Sequence, residues 1–486
     1  MSFSRTEQLR NLEKEKVFDL LVIGGGVVGA ASIAMASADD LNVLLLEKND
    51  FASGASSRST KLLHGGIRYL PQLQFGLVRE SLQEQTVLQN LLGELYKPLQ
   101  LLAPMYKNDG FADMPKIFQN NLVAPKAFKL GLFFYDFLGS RKKNRRHKSV
   151  SAEETAKMFP ILKRHNLKKS FIFEDAQTDD AKLVLTLLRN AVEEYGATAI
   201  NYFEITNIAK SKNIYQVECL DKISSKIFKL EVRKIIAATG VHNLPGEYNS
   251  KSSKMKHSGG AHLILKGDPL NLQGKAVLLP KTEDDRIMFV LPWLGNTIVG
   301  TTDTKTFSGT LDRPFADKND IEFLLKHVRK YFNIDNLSYL SSWSGVRALL
   351  DSSSNSTKSI SRGHFINIVE DGFVQIAGGK LTGFRIIAQE ALQRMFNKDF
   401  DLKKLKFVDD IMNLSETYKE DQFTFTVKHY CVTKPTDYLL RRTHISWFNE
   451  NGGINSLKKI TDKFYSNTHY EESYAELAEE GLMDQL

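Results

Sequence analysis

The chain has 486 residues, of which 42% are hydrophobic and 25% are charged, and its formal net charge is +8 at pH 7. This is the ordinary composition of a globular protein, and the length allows about three domains around a large core. The two cysteines, Cys219 and Cys431, lie far apart without a CxxC pattern or a histidine-rich neighbourhood, which argues against a disulfide and against a metal site.

The chain begins with a mixed-charge extension, residues 1–16, for which we predict a solvated helix. An apolar run at residues 18–23 then leads into Gly24, Gly26, Gly29 and a small-residue segment, a pattern typical of a strand, a Gly-rich turn and a helix N-terminus. The first glycine permits the tight turn, the second lets the backbone approach a pyrophosphate, and the third allows the helix to pack closely on the strand. The helix N-terminus then faces the anion.

A second apolar run, Val43–Leu46, ends in Glu47, at the spacing of an acid that accepts hydrogen bonds from a ribose. Strand, glycines and acid in this order predict a dinucleotide site; the alternative is a Gly-rich core turn followed by an ordinary surface glutamate. Residues 20–38 are also apolar enough to resemble a signal peptide or a membrane span. We expect neither, because a charged stretch and Asp19 precede the run and the dinucleotide motif explains its glycines.

The next segment, from residue 51, reads FASGASSRSTKLLHGGIRYL and interleaves serines with cationic and aromatic residues. A simple NAD domain requires nothing of this kind. Together with the preceding motif, the segment resembles the FAD-dependent glycerol-3-phosphate dehydrogenase family, which carries Ser-Ser-x-Ser-x-Lys-Leu-x-His-Gly-Gly-x-Arg-Tyr-Leu after the acidic ribose residue. The matching residues are Ser56, Ser57, Ser59, Lys61, Leu62, His64, Gly65, Gly66, Arg68, Tyr69 and Leu70.

Further motifs of that family follow in the same order over most of the chain. They are DAQTDDAKLVL at 175–185, VLPWLGNTIVGTTDT at 290–304, GVRALL at 345–350, an arginine at 362, GGKLTGFR at 378–385 and YLLRRTH at 438–444. The sequence departs from the family where Pro-Trp is missing after Gly240 and where Gly383 and Phe384 replace Thr-Tyr. Residues 96–134 match poorly.

The resemblance implies FAD as the cofactor and an α/β fold: a discontinuous, Rossmann-like FAD-binding domain, an antiparallel-sheet substrate domain and a C-terminal helical cap. Sequence patterns along the chain agree with it. They predict a helix at 179–195, strands around 199–202 and 234–240, and a hairpin of 215–220 and 227–232. They also predict a strand at 373–379 with a helix from 381, and alternating strands at 262–265, 276–279, 287–291 and 297–300 with a turn at Gly295 and Asn296.

The predicted boundaries are 1–16 for the extension, 17–95, 170–255 and 345–398 for the FAD-binding domain, 96–169 and 256–344 for the substrate and membrane-facing domain, and 399–486 for the cap.

The resemblance also assigns residues to the FAD site beyond the Gly-rich turn and Glu47. They are Ser56, Ser57, Ser59, Lys61, Leu62, Gly65, Gly66, Gly240, Gly379, Lys380, Leu381 and Thr382. No metal ligand is expected.

Oxidation of a secondary alcohol by a flavin needs a base near the hydroxyl, and histidine suits that role. A phosphorylated substrate needs cations, and the planar fork of arginine matches phosphate oxygens. By resemblance, the catalytic residues are His262, Arg362, Arg347 and Lys380, and the substrate-binding residues are Arg68, Tyr69, Arg347, Lys380 and His64. Arg347, Arg68 and Tyr69 are assigned to the phosphate, with His262 as proton acceptor and Arg362 as electrostatic orienter.

Three of these assignments have alternatives. Lys380 serves either the flavin N1 and O2 edge or the substrate. Arg347, in an apolar and small context, has a bound anion as its partner or else an internal carboxylate such as Asp351. His64 is catalytic or makes a structural hydrogen bond beside the Gly-Gly turn, and in related flavoproteins its position can carry a flavin link.

The positive charge is concentrated in RKKNRRHK at 141–148 and KRHNLKK at 163–169, and such patches attract polyanions. We expect no nucleic acid, because no zinc-ligand spacing, RNP-type motif or unassigned helix-turn-helix is found. FKLGLFFYDFLG at 128–139 sets aromatic residues beside the first basic run, which suits an anionic membrane surface; a buried helix before a solvated loop is the alternative. The resemblance favours the membrane, and it predicts a cytoplasmic protein that is peripheral on the inner face of the cytoplasmic membrane.

The activity that the resemblance implies is oxidation of sn-glycerol 3-phosphate to dihydroxyacetone phosphate, with the electrons passed through FAD to a membrane quinone; a homodimer is left open. One alternative is an oxidase that uses dioxygen on the same substrate. Another is a related amino-acid oxidase, which needs fewer cations because a carboxylate requires a single arginine. The third is an inactive flavoprotein that serves as a binding module, against which the retained cations and His262 argue.

Overall fold

The structure, a computed structural model, describes residues 2–67, 69, 74–107, 123–139, 146–350, 363–401 and 417–482. Its strands in chain order are β1 Val17–Ile23, β2 Val43–Leu46, β3 Leu62–Leu63, β4 Lys97–Tyr106, β5 Lys148–Ser151, β6 Leu167–Gln177, β7 Thr198–Ile200, β8 Phe203–Ser211, β9 Ile214–Asp221, β10 Ile227–Ala237, β11 Met255–Leu265, β12 Ala276–Leu279, β13 Met288–Trp293, β14 Asn296–Gly300, β15 Ser308–Gly309, β16 Pro314–Phe315, β17 Ser341–Leu350, β18 His364–Glu370 and β19 Phe373–Gly378.

The α-helices and one-turn helical segments follow the same order. They are α1 Arg5–Lys14, α2 Val27–Ser37, α3 Phe75–Leu91, α4 Ala124–Leu138, α5 Ala152–Met158, α6 Asp180–Glu193, α7 Lys318–Tyr331, α8 Phe384–Phe396, α9 Glu420–His429, α10 Pro435–Asp437, α11 Ile445–Phe448, α12 Ile454–Phe464 and α13 Asn467–Glu479.

The first sheet has the order β18-β19-β10-β1-β2-β7, and β8 and β9 extend it from β10. β1 lies parallel between β10 and β2, so that Val22 is opposite Ile236 on one side and Leu45 on the other. These strands are apolar on both faces because helices cover one face and the β8–β9 layer covers the other. Small residues in α2 let this helix pack closely against the sheet and against α6 and α8.

The second sheet has the order β17-β11-β14-β13-β12-β4-β6-β3, with β5 paired to β6. Its neighbours are antiparallel except β12 and β4, which are parallel. The strands predicted at 262–300 are all present. Their hairpin turn consists of Leu294 and Gly295, both at positive φ, since Trp293 pairs with Asn296; the predicted turn was one residue too far along the chain.

Two predicted domain boundaries fall inside strands of this second sheet. Residue 170 lies within β6 and residue 345 lies within β17, and both strands pair over their whole length with second-sheet neighbours. The motifs that begin at residues 175 and 345 therefore start on second-sheet backbone.

The N-terminal extension forms the predicted helix, α1, but this helix is not solvated on all sides. Gln8, Asn11 and Leu12 are buried, and the Gln8 side chain accepts a hydrogen bond from the backbone N–H of Ala199 at 3.1 Å. Phe3 packs on Phe51, with ring centroids 5.7 Å apart. The extension therefore covers the edge of the first sheet beside β7.

The C-terminal region is helical, as predicted, and buried ion pairs fasten it to the loop after β2. Arg441 Nε lies 2.5 Å from the Asp50 carboxylate, and Arg442 also pairs with it. Burial alone would raise the pKa of Asp50, but the charges of Arg442 and Arg441 hold it below its usual range. Among the described residues, no helix is long and apolar enough to cross a bilayer.

Candidate active site

A cavity of about 790 Å³ lies between the two sheets. On one side it begins at the carboxyl ends of β1, β2, β10 and β19, where the chain turns away from the first sheet. On the other side it reaches the faces of β11 and β17 in the second sheet. A cavity at the carboxyl ends of parallel strands is where such sheets bind nucleotides.

The three glycines of the turn have different physical requirements. Gly24 has φ +107°, and a Cβ there would lie 2.5 Å from the carbonyl oxygen of Ala238. A Cβ on Gly29 would lie 2.0 Å from the carbonyl oxygen of Gly24, so this glycine permits helix α2 to pack on the strand. A Cβ on Gly26 would meet only the Ser56 hydroxyl, at 3.1 Å, and would project into the cavity. Gly26 is thus the glycine that leaves space for a ligand rather than for the protein.

Glu47 lies at the end of β2 and lines the same part of the cavity. Its two carboxylate oxygens accept hydrogen bonds from the backbone N–H groups of Gly25 at 2.7 Å and Asn49 at 2.8 Å. Burial raises the pKa of Glu47, although these two hydrogen bonds act in the opposite direction. Each oxygen keeps a lone pair for a further donor, such as a ribose hydroxyl.

These residues fit a bound FAD molecule. The space above Gly26 and the N-terminus of α2 suits a pyrophosphate, and Glu47 suits the adenosine ribose. Gly240, after β10, and Gly379, after β19, also line the cavity. At both positions φ is positive, which favours glycine and lets the backbone border the cavity without a side chain.

Most of the residues predicted from the sequence line this one cavity. They are Gly24, Gly26, Glu47, Ser56, Ser59, Leu62, His64, Tyr69, Gly240, His262, Arg347, Gly379, Lys380 and Leu381. Arg68 and Arg362 lie outside the described residues, as does Asp351. The roles assigned to these residues stay predictions.

Six residues predicted to bind the cofactor do not line the cavity: Gly29, Ser57, Lys61, Gly65, Gly66 and Thr382. Lys61 is buried, its Nζ lies 2.5 Å from Asp180 Oδ1, and it also donates to the carbonyl oxygen of Ser57. Thr382 donates its hydroxyl to the backbone oxygen of His64 at 3.1 Å. The side chains of Lys61 and Thr382 therefore hold the Ser-rich loop in place and do not form the cavity wall.

Close packing explains why the two residues after His64 are glycines. A Cβ on Gly65 would lie 2.3 Å from Leu82 and 2.4 Å from the Tyr135 hydroxyl. Gly66 has φ +79°, and a Cβ there would lie 2.5 Å from the Tyr69 ring. The Gly-Gly pair therefore allows the chain to pass under α3 and α4 and to present Tyr69 to the cavity.

His262, on β11, is held in a narrow slot. Its Nε2 lies 2.9 Å from the Thr60 hydroxyl, and its ring stacks on Trp343 with centroids 5.4 Å apart. Gly300 leaves room for the ring, since a Cβ there would lie 2.2 Å from it. Burial, followed by the positive charges of Arg347 and Lys61, lowers the pKa of His262 well below its usual range. The ring is therefore neutral at neutral pH.

Arg347 projects from β17 with its guanidinium held mainly by neutral acceptors. It donates to the carbonyl oxygen of Gly259 at 2.8 Å and to the Thr301 hydroxyl at 2.9 Å. The carboxylate of Asp303 is 3.5 Å away, and Arg286 binds the same carboxylate at 2.5 Å. Asp303 is therefore an internal carboxylate beside Arg347, and it is shared between two arginines.

Lys380 follows β19 and lines the cavity beside Tyr69. Its Nζ lies 5.5 Å from the centre of the Tyr69 ring and contacts the hydroxyl of Ser81. Burial lowers the pKa of Lys380 to about 8. The ammonium group is therefore close to losing its proton at neutral pH.

Sequence reasoning missed several cavity residues. Thr60 lies inside the quoted Ser-rich motif, at a position for which the motif specifies no residue. Lys48, Asn49, His242 and Asp312 line the end of the cavity next to Glu47. Asp312 belongs to an irregular segment with no recognisable motif, and only the tertiary fold brings it to the dinucleotide turn.

Comparison with known proteins gives one family and several relatives. Residues 19–385 match the FAD dependent oxidoreductase family. An aerobic glycerol-3-phosphate dehydrogenase of Staphylococcus aureus (strain USA300) is 32% identical over 412 residues, which cover 82% of this chain and 71% of that protein.

Solved structures share the fold at lower identity. The glycerol-3-phosphate dehydrogenase from Bacillus halodurans complexed with FAD gives a TM-score of 0.72 at 22% identity, covering 98% of this chain and 97% of that one. An L-alpha-glycerophosphate oxidase from Mycoplasma pneumoniae with FAD bound gives 0.59 at 20% identity, covering 80% and 96%. Glycine oxidase from Geobacillus kaustophilus gives 0.58 at 18% identity, covering 81% and 99%. The fold alone is therefore compatible with more than one substrate class.

Proposed function

The chain belongs to the FAD-dependent oxidoreductase family, in its glycerol-3-phosphate dehydrogenase branch, and we propose that it oxidises sn-glycerol 3-phosphate to dihydroxyacetone phosphate with a membrane quinone as the electron acceptor. It is an FAD enzyme. When bound, FAD supplies the acceptor for the hydride that leaves the carbinol carbon. The substrate, the acceptor and the residue roles below are the proposal.

The observation that carries the proposal is the pair of cations on the cavity wall beside His262. Arg347 and Lys380 both line the cavity, from β17 and from the turn after β19. A phosphate group takes several cationic donors, whereas the carboxylate of an amino acid takes one arginine. The Asp303 carboxylate that Arg347 contacts is also bound by Arg286, and Arg347 faces the cavity in which we place the phosphate.

His262 is the proposed proton acceptor for the substrate hydroxyl. Its low pKa keeps the imidazole neutral and able to accept a proton at neutral pH. The stacked Trp343 ring fixes the plane of the imidazole, and the Thr60 hydroxyl fixes the direction of Nε2. His262 is only 2% exposed, so bulk water is kept away from the nitrogen that would accept the substrate proton.

The direct test is anaerobic addition of substrate to the purified, FAD-loaded protein. We expect the oxidised flavin spectrum to bleach with glycerol 3-phosphate and not with glycerol, because only the phosphate ester engages the cations. Arg347→Ala should keep its FAD and lose ten- to over a hundredfold in kcat/KM, since charge-assisted hydrogen bonds of about 1.5 to 3 kcal/mol disappear.

Other outcomes of the same titration would redirect the assignment. Bleaching by glycine but not by glycerol 3-phosphate would make the protein an amino-acid oxidase. If no alcohol or amine reduces the flavin, the remaining alternative is an inactive flavoprotein that serves as a binding module. Wild-type efficiency in Arg347→Ala would remove Arg347 from the phosphate site.

Membrane attachment and the quinone are supported by one face of α4. Leu130, Phe133 and Phe137 are 57%, 59% and 71% exposed, and Phe134 and Phe75 continue this surface with ring centroids 6.0 Å apart. The opposite face of the helix, with Phe128 and Leu132, is buried. The buried-helix alternative thus accounts for only half of the helix. Of the basic run, residues 141–145 lie outside the described residues, while Arg146 and Lys148 are exposed.

We further propose a division of labour between the layers. The first sheet with its helices forms the FAD-binding domain, and the second sheet supplies the substrate wall. The C-terminal helices form the cap that holds the loop after β2. On the membrane proposal, α4 contacts the lipid surface and the protein is peripheral on the inner face of the cytoplasmic membrane.

A further inference from the structure

A small hairpin of β15 and β16 lies between β14 and α7 and borders one end of the cavity. Its connecting residues Leu311 and Asp312 line the cavity wall, next to Glu47, Lys48 and Asn49 of the first sheet. The hairpin belongs to the part of the chain that carries the second sheet. It therefore reaches from one layer of the molecule to the nucleotide turn of the other.

Asp312 contacts three side chains from two separate segments of the FAD-binding layer. Its carboxylate lies 2.8 Å from Lys48 Nζ, accepts from Asn49 Nδ2 at 3.0 Å and lies 3.2 Å from His242 Nε2. Burial would raise the pKa of Asp312, but the hydrogen bonds from His242 and Lys48 lower it below its usual range. The carboxylate is therefore charged at neutral pH and attracts all three donors.

The base of the hairpin is anchored independently of this contact. Arg58 donates to the carbonyl oxygen of Pro314 at 2.9 Å and pairs with Glu480 at 2.6 Å. Arg313 pairs with Glu476 and Glu479 of α13. Loss of the Asp312 contacts thus leaves the hairpin strands and Arg313 attached to the C-terminal helices, while Leu311 and Asp312 come free of the nucleotide turn.

The position of the contact identifies which part of the cofactor it encloses. Glu47 is the residue assigned to the adenosine ribose, and Asp312 contacts Lys48 and Asn49, the two residues that directly follow Glu47. We propose that residues 308–315 form a clasp over the adenosine end of FAD, latched by Asp312, and that opening of this latch controls the exchange of the cofactor. The substrate plays no part in this inference.

The test measures FAD release rather than turnover. In Asp312→Asn the shape is kept and the charge is lost, so we expect the rate of FAD release into an excess of a second apoflavoprotein that binds FAD tightly to rise about five- to twentyfold. This range allows for the partial exposure of the contact, which weakens a surface ion pair. Glu322→Gln removes an equal charge from the exposed surface of α7 and should leave the release rate unchanged.

Two ligand fragments separate a clasp at the adenosine end from a general loosening of the site. We expect apo Asp312→Asn to bind ADP several-fold more weakly than the apo wild type and to bind FMN equally well. Lys48→Met should raise FAD release in the same direction, and the double variant should add little, because both substitutions open one latch. Thermal unfolding of each apoprotein reports on folding, and Lys48→Met carries the test if Asp312→Asn does not fold.

Three results would overturn the clasp. One is an unchanged FAD release rate in both single variants. The second is equal weakening of ADP and FMN binding, which indicates a disturbed site rather than an adenosine clasp. The third is full additivity of the two substitutions.

Discussion

Lys380 carries a charge that depends on pH within the working range of the proposed enzyme. Because burial lowers its pKa to about 8, the ammonium group is charged below that pH and neutral above it. If Lys380 binds the phosphate, KM for glycerol 3-phosphate should rise as the pH passes about 8, while Lys380→Arg should show no such rise because a guanidinium stays protonated. Initial rates from about pH 6.5 to 9.5 measure this. An identical rise in both proteins would assign the titration to another group.

The sequence identified residues of the site mostly where a motif is local. Gly24, Gly26 and Glu47 line the cavity, as do several residues of the Ser-rich segment. The Lys61 side chain instead turns inward to Asp180, which a motif next to cavity residues does not reveal. Asp312 was missed because its partners are more than sixty residues away in the chain, and no pattern of residue types records such a contact.

At the scale of elements, the β1–turn–α2 unit makes a sharp distinction between its glycines. Gly26→Ala places a methyl group in cofactor space and meets only the Ser56 hydroxyl in the protein, so we expect a folded protein with strongly weakened FAD binding. Gly29→Ala forces α2 away from the backbone of Gly24 and should instead lower the free energy of unfolding. Flavin content after gel filtration and far-ultraviolet circular dichroism separate the two effects. A Gly26→Ala protein that retains FAD at wild-type affinity would contradict the assignment.

The elements with clear periodicity were predicted from the sequence more fully than the pairing of the strands. The predicted helix near 179–195 and the strands predicted between 262 and 300 are present, whereas the strands predicted at 227–232 and 234–240 form one strand, β10. Residues 170 and 345, predicted as limits of the FAD-binding domain, lie inside β6 and β17, because strand pairing depends on distant residues that a local pattern does not record. Helix α1 has polar residues facing the sheet, such as Gln8, which a hydropathy pattern reads as solvated.

For the whole molecule, the layers are joined by charged contacts as well as by the apolar core. Asp50 forms ion pairs with Arg441 and Arg442 of the C-terminal region, and Arg58 forms one with Glu480. These pairs are buried, so removing one partner leaves an uncompensated charge and costs about 3 to 5 kcal/mol. The C-terminal helices are therefore bound to the loop that shapes the nucleotide site.

That exposed face leads to the prediction for the whole protein, which is reversible binding to anionic membranes. Phe133→Ser together with Phe137→Ser removes the two most exposed aromatic side chains of α4 and should abolish sedimentation with anionic vesicles at low salt. Ile368→Ser removes a 66% exposed apolar side chain of β18 and should have no effect.

The electrostatic half of this binding comes from the basic run after α4. Neutralising Arg141, Lys142, Lys143, Arg145 and Arg146 removes about 1 kcal/mol of attraction for each side chain close to the lipid surface, and added salt should weaken wild-type binding in the same way. Reduction of a membrane quinone should slow in the Phe133→Ser, Phe137→Ser variant and in the variant with the basic residues neutralised. Activity with a soluble dye acceptor should stay at the wild-type rate in both. If the wild-type protein fails to sediment with anionic vesicles even at low salt, the α4 face does not bind membranes, and dioxygen becomes the better acceptor to test.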